Sequence, residues 1–433
     1  MDVKNILSSI MESPSDIPCY ILDSLWGDHI NQPSDEPKIF TIGLSYVSGE
    51  ILGETANLRY QGNVCKWALA KSFLKRTCPN LETIERNFQK WDTLSFPGKW
   101  NGKGDGSGES IYKAYHQKGG SVVDCLFILE IIWRYTCGGP EDAVDGLSSA
   151  GIFLQARSDL IVFNNQLPFS VLEALFNLAF PDQEGSNWSF LKLCIIFFSE
   201  CMLVTEYSQA LESIHLQQKK SETEIENFLD LIRKCHSPSF ARQPPADPTK
   251  LTEMRRAINV VEAGMVIKPA PDNRSVCSIR YTRGVLEIPK LKITGKSEHL
   301  LKNVIKYEMR HHPYNTVIID YLHFMDGLIK TAKDVDVLLN KKVLQNFYGD
   351  SKDVADLFNS ITREAPLFPS GFCYHGISEA VNEYCEVPRH RWRASLKRNY
   401  CSSPWLIAST GAAVLLIILT LIQTICSIIS IIH

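Results

Sequence analysis

The pattern of apolar and polar residues changes abruptly near the C-terminal end of the sequence. From Leu406 to Ile432 no side chain carries a charge, and Leu, Ile and Val dominate. About 20 apolar residues cross a hydrocarbon layer about 30 Å thick, and these side chains favour insertion into it. The pattern therefore predicts a transmembrane helix over residues 404–432, after a helical, water-soluble body over residues 15–400.

Within the body, apolar positions recur mainly at helical spacing. Ser221 and Glu224 have the spacing of a capping box and precede a periodic apolar run that reaches Ile232. The stretch from Phe190 to Val204 is apolar but contains Lys192 and Glu200, which favours a core helix over a membrane span. Further helices are predicted over residues 65–75, 122–134, 168–180, 298–309, 317–330 and 353–361.

One segment, from Val276 to Ile293, alternates apolar and polar residues as a strand does. A turn at Arg283 and Gly284 divides it, and Pro289 should stop the second strand or move it to a sheet edge. The sequence therefore predicts a predominantly α fold of the α+β type. It consists of a helical body with a small β-hairpin and one C-terminal transmembrane helix.

Basic residues lie just before the apolar helix and predict its orientation. Lys and Arg mark the cytosolic flank of a span, and Trp settles at the headgroup level. The N-terminal residues show no secretory signal pattern. We therefore expect a tail-anchored, single-pass protein of the plasma membrane or an endomembrane, with its body in the cytosol. The flank consists of Arg389, Arg391, Arg393, Lys397, Arg398 and Trp405.

The apolar helix also carries a polar face, formed by Thr420, Gln423, Thr424 and Ser427. Polar side chains in lipid can hydrogen-bond a neighbouring helix, so this face could mediate homo-oligomerisation or association with another membrane protein. Alternatively, the hydroxyl groups bond back to carbonyls of their own helix. The sequence leaves both interpretations open.

Composition limits the possible binding partners of the protein and indicates its cellular compartment. The chain has 433 residues, 45% of them hydrophobic, and a net charge of −3, which gives no general attraction to nucleic acid. The basic flank is better explained by anionic lipid. Thirteen cysteines are spread singly, without CxxC pairs, so we expect them to stay reduced. Cys401, beside the predicted membrane entry, is a candidate for palmitoylation.

The candidate catalytic and metal-binding patterns are all incomplete. The glycine-rich run at 102–108 lacks the Gly-Lys-Ser/Thr ending of a phosphate loop. Adjacent or next-but-one residues point in different directions on a helix, which argues against a Cys235–His236 pair and an Asp334–Asp336 pair. No zinc spacing accompanies the histidines near Glu308, which are His311, His312 and His323. We therefore predict no catalytic residue, no metal and no cofactor.

The segment SDLIVFNNQLPFSVLEALF, from Ser158 to Phe176, resembles the signature of a plant family known as the domain of unknown function 247. That signature has an aspartate, an apolar run, Glu-Asn-Gln and Pro-Phe before an amphipathic helix. Asn164 replaces the usual glutamate, and TIGLSYVSG, residues 41–49, lacks the proline and histidines usual in relatives. The residues that match are Asp159, Asn165, Gln166, Pro168 and Phe169.

The resemblance implies a membrane-associated plant protein of largely unestablished biochemistry. Some members of the family are associated with pollen–pistil self-incompatibility in grasses. The amides of Asn165 and Gln166 are expected to cap backbone groups before a helix that begins at Pro168. We expect a non-enzymatic protein that binds another protein in recognition or signalling. The alternatives are an enzyme with a non-standard site and a lipid tether acting through the basic flank.

Overall fold

The computed structural model describes residues 3–12, 37, 39–42, 54–77, 120–138, 150–180, 189–203, 210, 214, 224–237, 253–271, 274–367, 372–388, 392 and 404–432. The helices are α1 (Val3–Glu12), α2 (Glu54–Thr77), α3 (Gly120–Cys137), α4 (Ala150–Leu160), α5 (Phe169–Ala179), α6 (Phe190–Phe198), α7 (Phe228–His236), α8 (Ala257–Glu262), α9 (Ser297–His311), α10 (Val317–Leu328), α11 (Ala332–Asn340), α12 (Ser351–Glu364), α13 (His375–Glu386) and α14 (Pro404–Ile432). The strands are β1 (Val266–Pro269), β2 (Arg280–Thr282), β3 (Val285–Ile288), β4 (Leu291–Thr294) and β5 (Leu344–Phe347).

The helices other than α14 surround one contiguous apolar core. Helix α3 lies at the centre of the first half, where it packs along α2 and contacts α6. Its residues from Val122 to Ile132 are all buried, which explains why this segment is apolar on every side apart from Asp124 and Glu130. In the second half, α10 and α11 pack against α12 and α7 packs against α9. The fold is mainly α with small sheets, as the sequence predicted.

The predicted hairpin is present, within a larger arrangement of strands. β2 and β3 pair antiparallel, and β1 joins β3 in parallel, so β3 is the central strand rather than an edge. The turn residues Arg283 and Gly284 have φ angles of 46° and 82°, which is typical of a tight hairpin turn. β3 ends at Ile288, just before Pro289. A separate parallel pair joins β4 to β5, which the sequence analysis missed.

The predicted helices overlap observed ones and differ from them at several ends. The helix predicted over residues 317–330 ends at Leu328, and the one predicted over residues 168–180 ends at Ala179. The helix placed after Ser221 begins only at Phe228, because Asn227 is the N-cap and accepts a hydrogen bond from the Asp230 N–H at 2.9 Å. Ser221 itself lies outside the described residues. The helix that starts at Phe190 ends at Phe198, before the predicted Val204. Pro168 is the N-cap of α5, one residue before the first turn.

Candidate functional site

The residues of the family motif form the turn between α4 and α5. The Gln166 side-chain amide donates to the carbonyls of Leu160 at 2.7 Å and Val162 at 2.9 Å. Pro168 makes no side-chain capping hydrogen bond. The Gln166 amide therefore binds backbone carbonyls at the end of α4 and in the turn before α5.

Phe169 attaches the start of α5 to the neighbouring helices. Its ring is buried and lies 5.2 Å from the ring of Phe190 and 6.3 Å from that of Phe228, measured between centroids. Its N–H donates to the carbonyl of Glu226 at 2.8 Å. The motif turn is thereby fixed against α6 and α7.

Asp159 and Asn165 bind a segment that is remote in sequence, residues Ile39–Ile42, which we call the clamped segment. Asp159 Oδ2 accepts hydrogen bonds from the N–H groups of Ile39 at 3.0 Å and Phe40 at 2.8 Å. The Asn165 amide accepts from the Ile42 N–H and donates to the Phe40 carbonyl at 2.9 Å. Both motif side chains are almost completely buried.

Helix α2 contacts the clamped segment from another side. Lys66 Nζ donates to the Thr41 carbonyl and forms a buried ion pair with Asp124 of α3 at 2.6 Å. Asp124 therefore compensates the charge of a lysine that is only 4% exposed.

Close packing also holds the clamped segment in place. A Cβ atom on Gly62 would lie only 2.3 Å from the carbonyl oxygen of Ile39, so glycine is required where α2 passes the segment. The ring of Phe40 stacks on that of Phe127 at 5.0 Å between centroids. The clamped segment is thus held through its main chain, with one apolar side chain as an anchor.

This arrangement suits binding of an extended peptide backbone. Sequence reasoning found Asp159 and Asn165 through the family motif but missed Lys66, Asp124 and Gly62. A usable signal existed for Asp124, because a carboxylate inside the apolar run VVDCLFIL is unusual in a buried helix. Nothing local in the sequence indicates that Gly62 faces another backbone.

A second cluster of titratable side chains lies between α7 and α9. The Asp230 carboxylate is 1% exposed, and its Oδ1 atom lies 4.0 Å from Nε2 of His312. Neither of these two atoms has a hydrogen-bond partner in the part of the chain that the structure describes. Burial and the nearby Arg233 guanidinium lower the pKa of His312, which favours the neutral imidazole.

The same cluster extends to Tyr307, whose hydroxyl donates to Glu226 Oε2 at 2.9 Å. Burial raises the pKa of this hydroxyl, and the ring of His311 stacks on that of Tyr307 at 4.7 Å. A neutral imidazole beside a buried carboxylate resembles an acid–base pair in kind. The 4.0 Å separation of Oδ1 and Nε2 is longer than a hydrogen bond.

The histidines and Glu308 considered as a metal site do not converge. Glu308 is fully buried, pairs with Arg233 at 2.8 Å and caps α10 by accepting from the N–H groups of Ile318 and Ile319. His323 lies elsewhere, with Nε2 2.9 Å from the Ala365 carbonyl. Among the residues that the structure describes, no group of three or more His, Cys, Asp or Glu side chains is placed to hold a metal ion.

The side chains of the two other candidate catalytic pairs also have structural roles. His236 accepts from the Leu203 N–H at 3.0 Å through Nε2 and donates to the Ile232 carbonyl through Nδ1. Burial raises the pKa of the neighbouring Cys235 thiol. Asp334 accepts from Arg256 at 3.0 Å.

Asp336, two residues further on, accepts from the Ser351 hydroxyl at 2.6 Å. Its partner thus differs from that of Asp334, as expected for side chains on different faces of one helix.

Helix α14 is long and apolar enough to cross a membrane, from Ala408 to Ile425, and none of that window is buried. The Thr420 hydroxyl donates to the Leu416 carbonyl at 2.7 Å, and the Thr424 hydroxyl donates to the Thr420 carbonyl at 2.7 Å. Gln423 is exposed, and Trp405 is 86% exposed. The side chain of Ser427 and the residues Arg389, Arg391, Arg393, Lys397, Arg398 and Cys401 lie outside what the structure describes.

The fold and the motif turn define a mainly α protein with an internal peptide clamp and one exposed apolar helix. The sequence profile of a family described as a plant protein of unknown function, the domain of unknown function 247, matches residues 120–419. The chain belongs to this family.

Two relatives come from Arabidopsis thaliana. The UPF0481 protein At3g47200 is 24% identical over 335 residues, which cover 71% of this chain and 67% of the relative. The putative UPF0481 protein At3g02645 is 28% identical over 166 residues, which cover 37% of this chain and 31% of the relative. No solved structure matches the chain.

Proposed function

We propose that this plant protein is a single-pass membrane protein that acts by binding other proteins, in recognition or signalling. The exposed apolar surface of α14 carries the proposal, because the described part of the chain covers none of the window from Ala408 to Ile425. A lipid bilayer would remove this surface from water, which is strongly favourable. The basic flank favours a body in the cytosol, at the plasma membrane or an endomembrane.

Binding rather than catalysis is supported by how the polar groups are used. Asp159 and Asn165 bind the main chain of the clamped segment, a mode that proteins also use to bind extended peptides. Buried charges such as Glu308 are committed to ion pairs and helix caps. The family resemblance adds pollen recognition in self-incompatibility as one form that this role could take.

The membrane part is tested on full-length protein expressed in plant cells, by washing the membranes with alkaline carbonate. The wild type should stay in the membrane. Leu416→Arg combined with Ile418→Arg costs about 5–7 kcal/mol of insertion free energy and should release the protein. The matched control, Leu416→Met with Ile418→Met, keeps an apolar helix and should behave like the wild type. Release of the wild type by carbonate would contradict the proposal.

The binding part is tested by proximity labelling from the N-terminal end in intact cells. The wild type and the methionine control should label the same proteins reproducibly, and the arginine variant should lose them. Absence of any reproducible neighbour of the wild type would argue against recognition.

The two alternatives predict different results. If the protein is an enzyme acting through the Asp230–His312 cluster, Asp230→Asn should abolish its cellular effect without changing the labelled proteins. If it is a lipid tether, reversing the charges of the basic flank should abolish its function. Loss of protein binding by the body should then have no effect on that function.

A further inference from the structure

Arg157 of α4 is a buried cation that contacts two aromatic rings, which are nearly perpendicular to each other with their centroids 5.4 Å apart. Its guanidinium carbon lies 4.6 Å from the centroid of the Tyr135 ring and 5.1 Å from that of Phe197. Only 4% of the residue is exposed.

No counter-ion or hydrogen-bond acceptor contacts this guanidinium among the residues that the structure describes, and its Nε atom is completely buried without a partner. The other buried arginines differ. Arg134 pairs with Glu130 at 2.7 Å, and Arg233 pairs with Glu308 at 2.8 Å. Arg157 is therefore the exception among the buried arginines of the described chain.

The aromatic contacts do not balance the cost of burial. A cation–π contact stabilises a charge by less than the removal of that charge from water costs, even after relaxation. A buried charge with this imbalance is stable when an anion neutralises it. Guanidinium groups bind carboxylates and phosphates in a bidentate manner, with two parallel hydrogen bonds.

Two lysines add positive charge in the same region. The backbone N–H of Lys292 donates to the Leu203 carbonyl at 2.9 Å, which places β4 beside the end of α6. Both Arg157 and Lys292 act electrostatically on the Cys201 thiol, lowering a pKa that burial raises. Half-buried Lys296 acts on the same thiol.

Two carboxylates lie near these cations. Asp159 acts electrostatically on Lys296, but its oxygens bind the clamped segment and Gln155. Glu200 acts on Cys201 and is exposed. Neither of them pairs with Arg157.

We propose that Arg157, Lys292 and Lys296 form a binding site for the oxyanion of a small molecule, a phosphate or a carboxylate group. The rings of Tyr135 and Phe197 contact the guanidinium carbon, and the guanidinium N–H groups can donate to a planar or tetrahedral anion. This site is separate from the clamp and does not depend on the proposed membrane function.

The test uses the full-length chain in detergent, with inorganic phosphate or acetate as the probe and chloride at matched ionic strength as the reference. At least one probe should raise the melting temperature in a saturable way, by about 2–4 °C above chloride. Arg157→Met, which keeps the length of the side chain without its charge, should abolish this rise. Arg280→Met removes the same charge from an exposed position on β2 and should keep it.

Lys296→Gln provides a second variant if Arg157→Met fails to fold, and it should raise the apparent Kd for the probe about tenfold. A response to phosphate alone would identify a phosphoryl ligand, and a response to acetate alone a carboxylate. Equal rises in the wild type, Arg157→Met and Lys296→Gln would show a general salt effect and overturn the proposal. So would the absence of any saturable rise in the wild type.

Discussion

At the scale of single residues, Asp159 and Asn165 act on the clamped segment as a neighbouring strand would. Between them they satisfy the N–H groups of Ile39, Phe40 and Ile42 and the carbonyl of Phe40. Buried main-chain groups that lose such partners cost about 1–3 kcal/mol each. Two side chains of a short motif thereby hold a segment more than a hundred residues away.

Replacing these side chains should expose the main chain of the clamped segment. Asp159→Ala and Asn165→Ala should each increase amide hydrogen exchange of this segment by about 10- to 100-fold, because each removes two hydrogen bonds. Exchange measured by mass spectrometry or NMR checks this expectation. Gln166→Ala is the matched control, since among the described residues the Gln166 amide bonds to the carbonyls of Leu160 and Val162 and not to the clamped segment. If amide exchange of the segment were the same in all three variants as in the wild type, the segment would be held by packing alone.

The side chains that hold the clamped segment could be predicted from the sequence only in part. The family motif identified Asp159 and Asn165, but their partner depends on the path of the chain between residues 42 and 159. The mistaken start of α7 has a local cause. Asn227 competes with Ser221 as a cap, and both precede an apolar run with helical spacing.

At the scale of elements, the sequence predicted those whose pattern is local. The turn at Arg283 and Gly284 requires positive φ angles, and α14 is a long apolar helix without a charged residue, so neither depends on the rest of the fold. β4 and β5 were missed because they pair in parallel across about fifty residues, and a four-residue strand has too little periodicity to be recognised alone. Helix α4 was missed because eight of its eleven residues are buried, including Gln155, Arg157 and Asp159.

The polar face of α14 leads to a prediction about self-association. The hydroxyls of Thr420 and Thr424 bond to carbonyls of their own helix, whereas Gln423 makes no hydrogen bond within the described residues. An amide in lipid gains from a partner on a second helix, by about 0.6–2 kcal/mol. We therefore propose that any homo-oligomer forms through Gln423. Gln423→Leu should lower energy transfer between labelled copies in membranes, while Thr420→Val combined with Thr424→Val should leave it unchanged. The opposite pattern would place the contact on the threonines.

At the scale of the whole molecule, His236 joins three parts of the fold. Its ring binds the Leu203 N–H beyond α6 and the Ile232 carbonyl within α7, and its carbonyl accepts from the Cys277 N–H before β2 at 3.3 Å. The ring accepts one hydrogen bond and donates one, which only the neutral imidazole can do. Burial accordingly lowers the pKa of His236 to about 4.

This lowered pKa predicts how global stability depends on pH. The unfolded chain binds a proton at His236 near pH 6.5, whereas the folded chain binds it only near pH 4. The contribution of His236 to the free energy of unfolding is therefore complete above pH 6.5 and falls by about 3 kcal/mol as the pH drops to 4. Denaturant unfolding of the full-length chain in detergent, followed by Trp fluorescence, measures this dependence. His236→Gln should flatten the curve between these two pH values. Cys235→Ala is the matched core control. Because its thiol does not ionise in this range, this variant should lower the free energy of unfolding without changing how it depends on pH. An unchanged slope in His236→Gln would show that another group governs the loss of stability at acid pH.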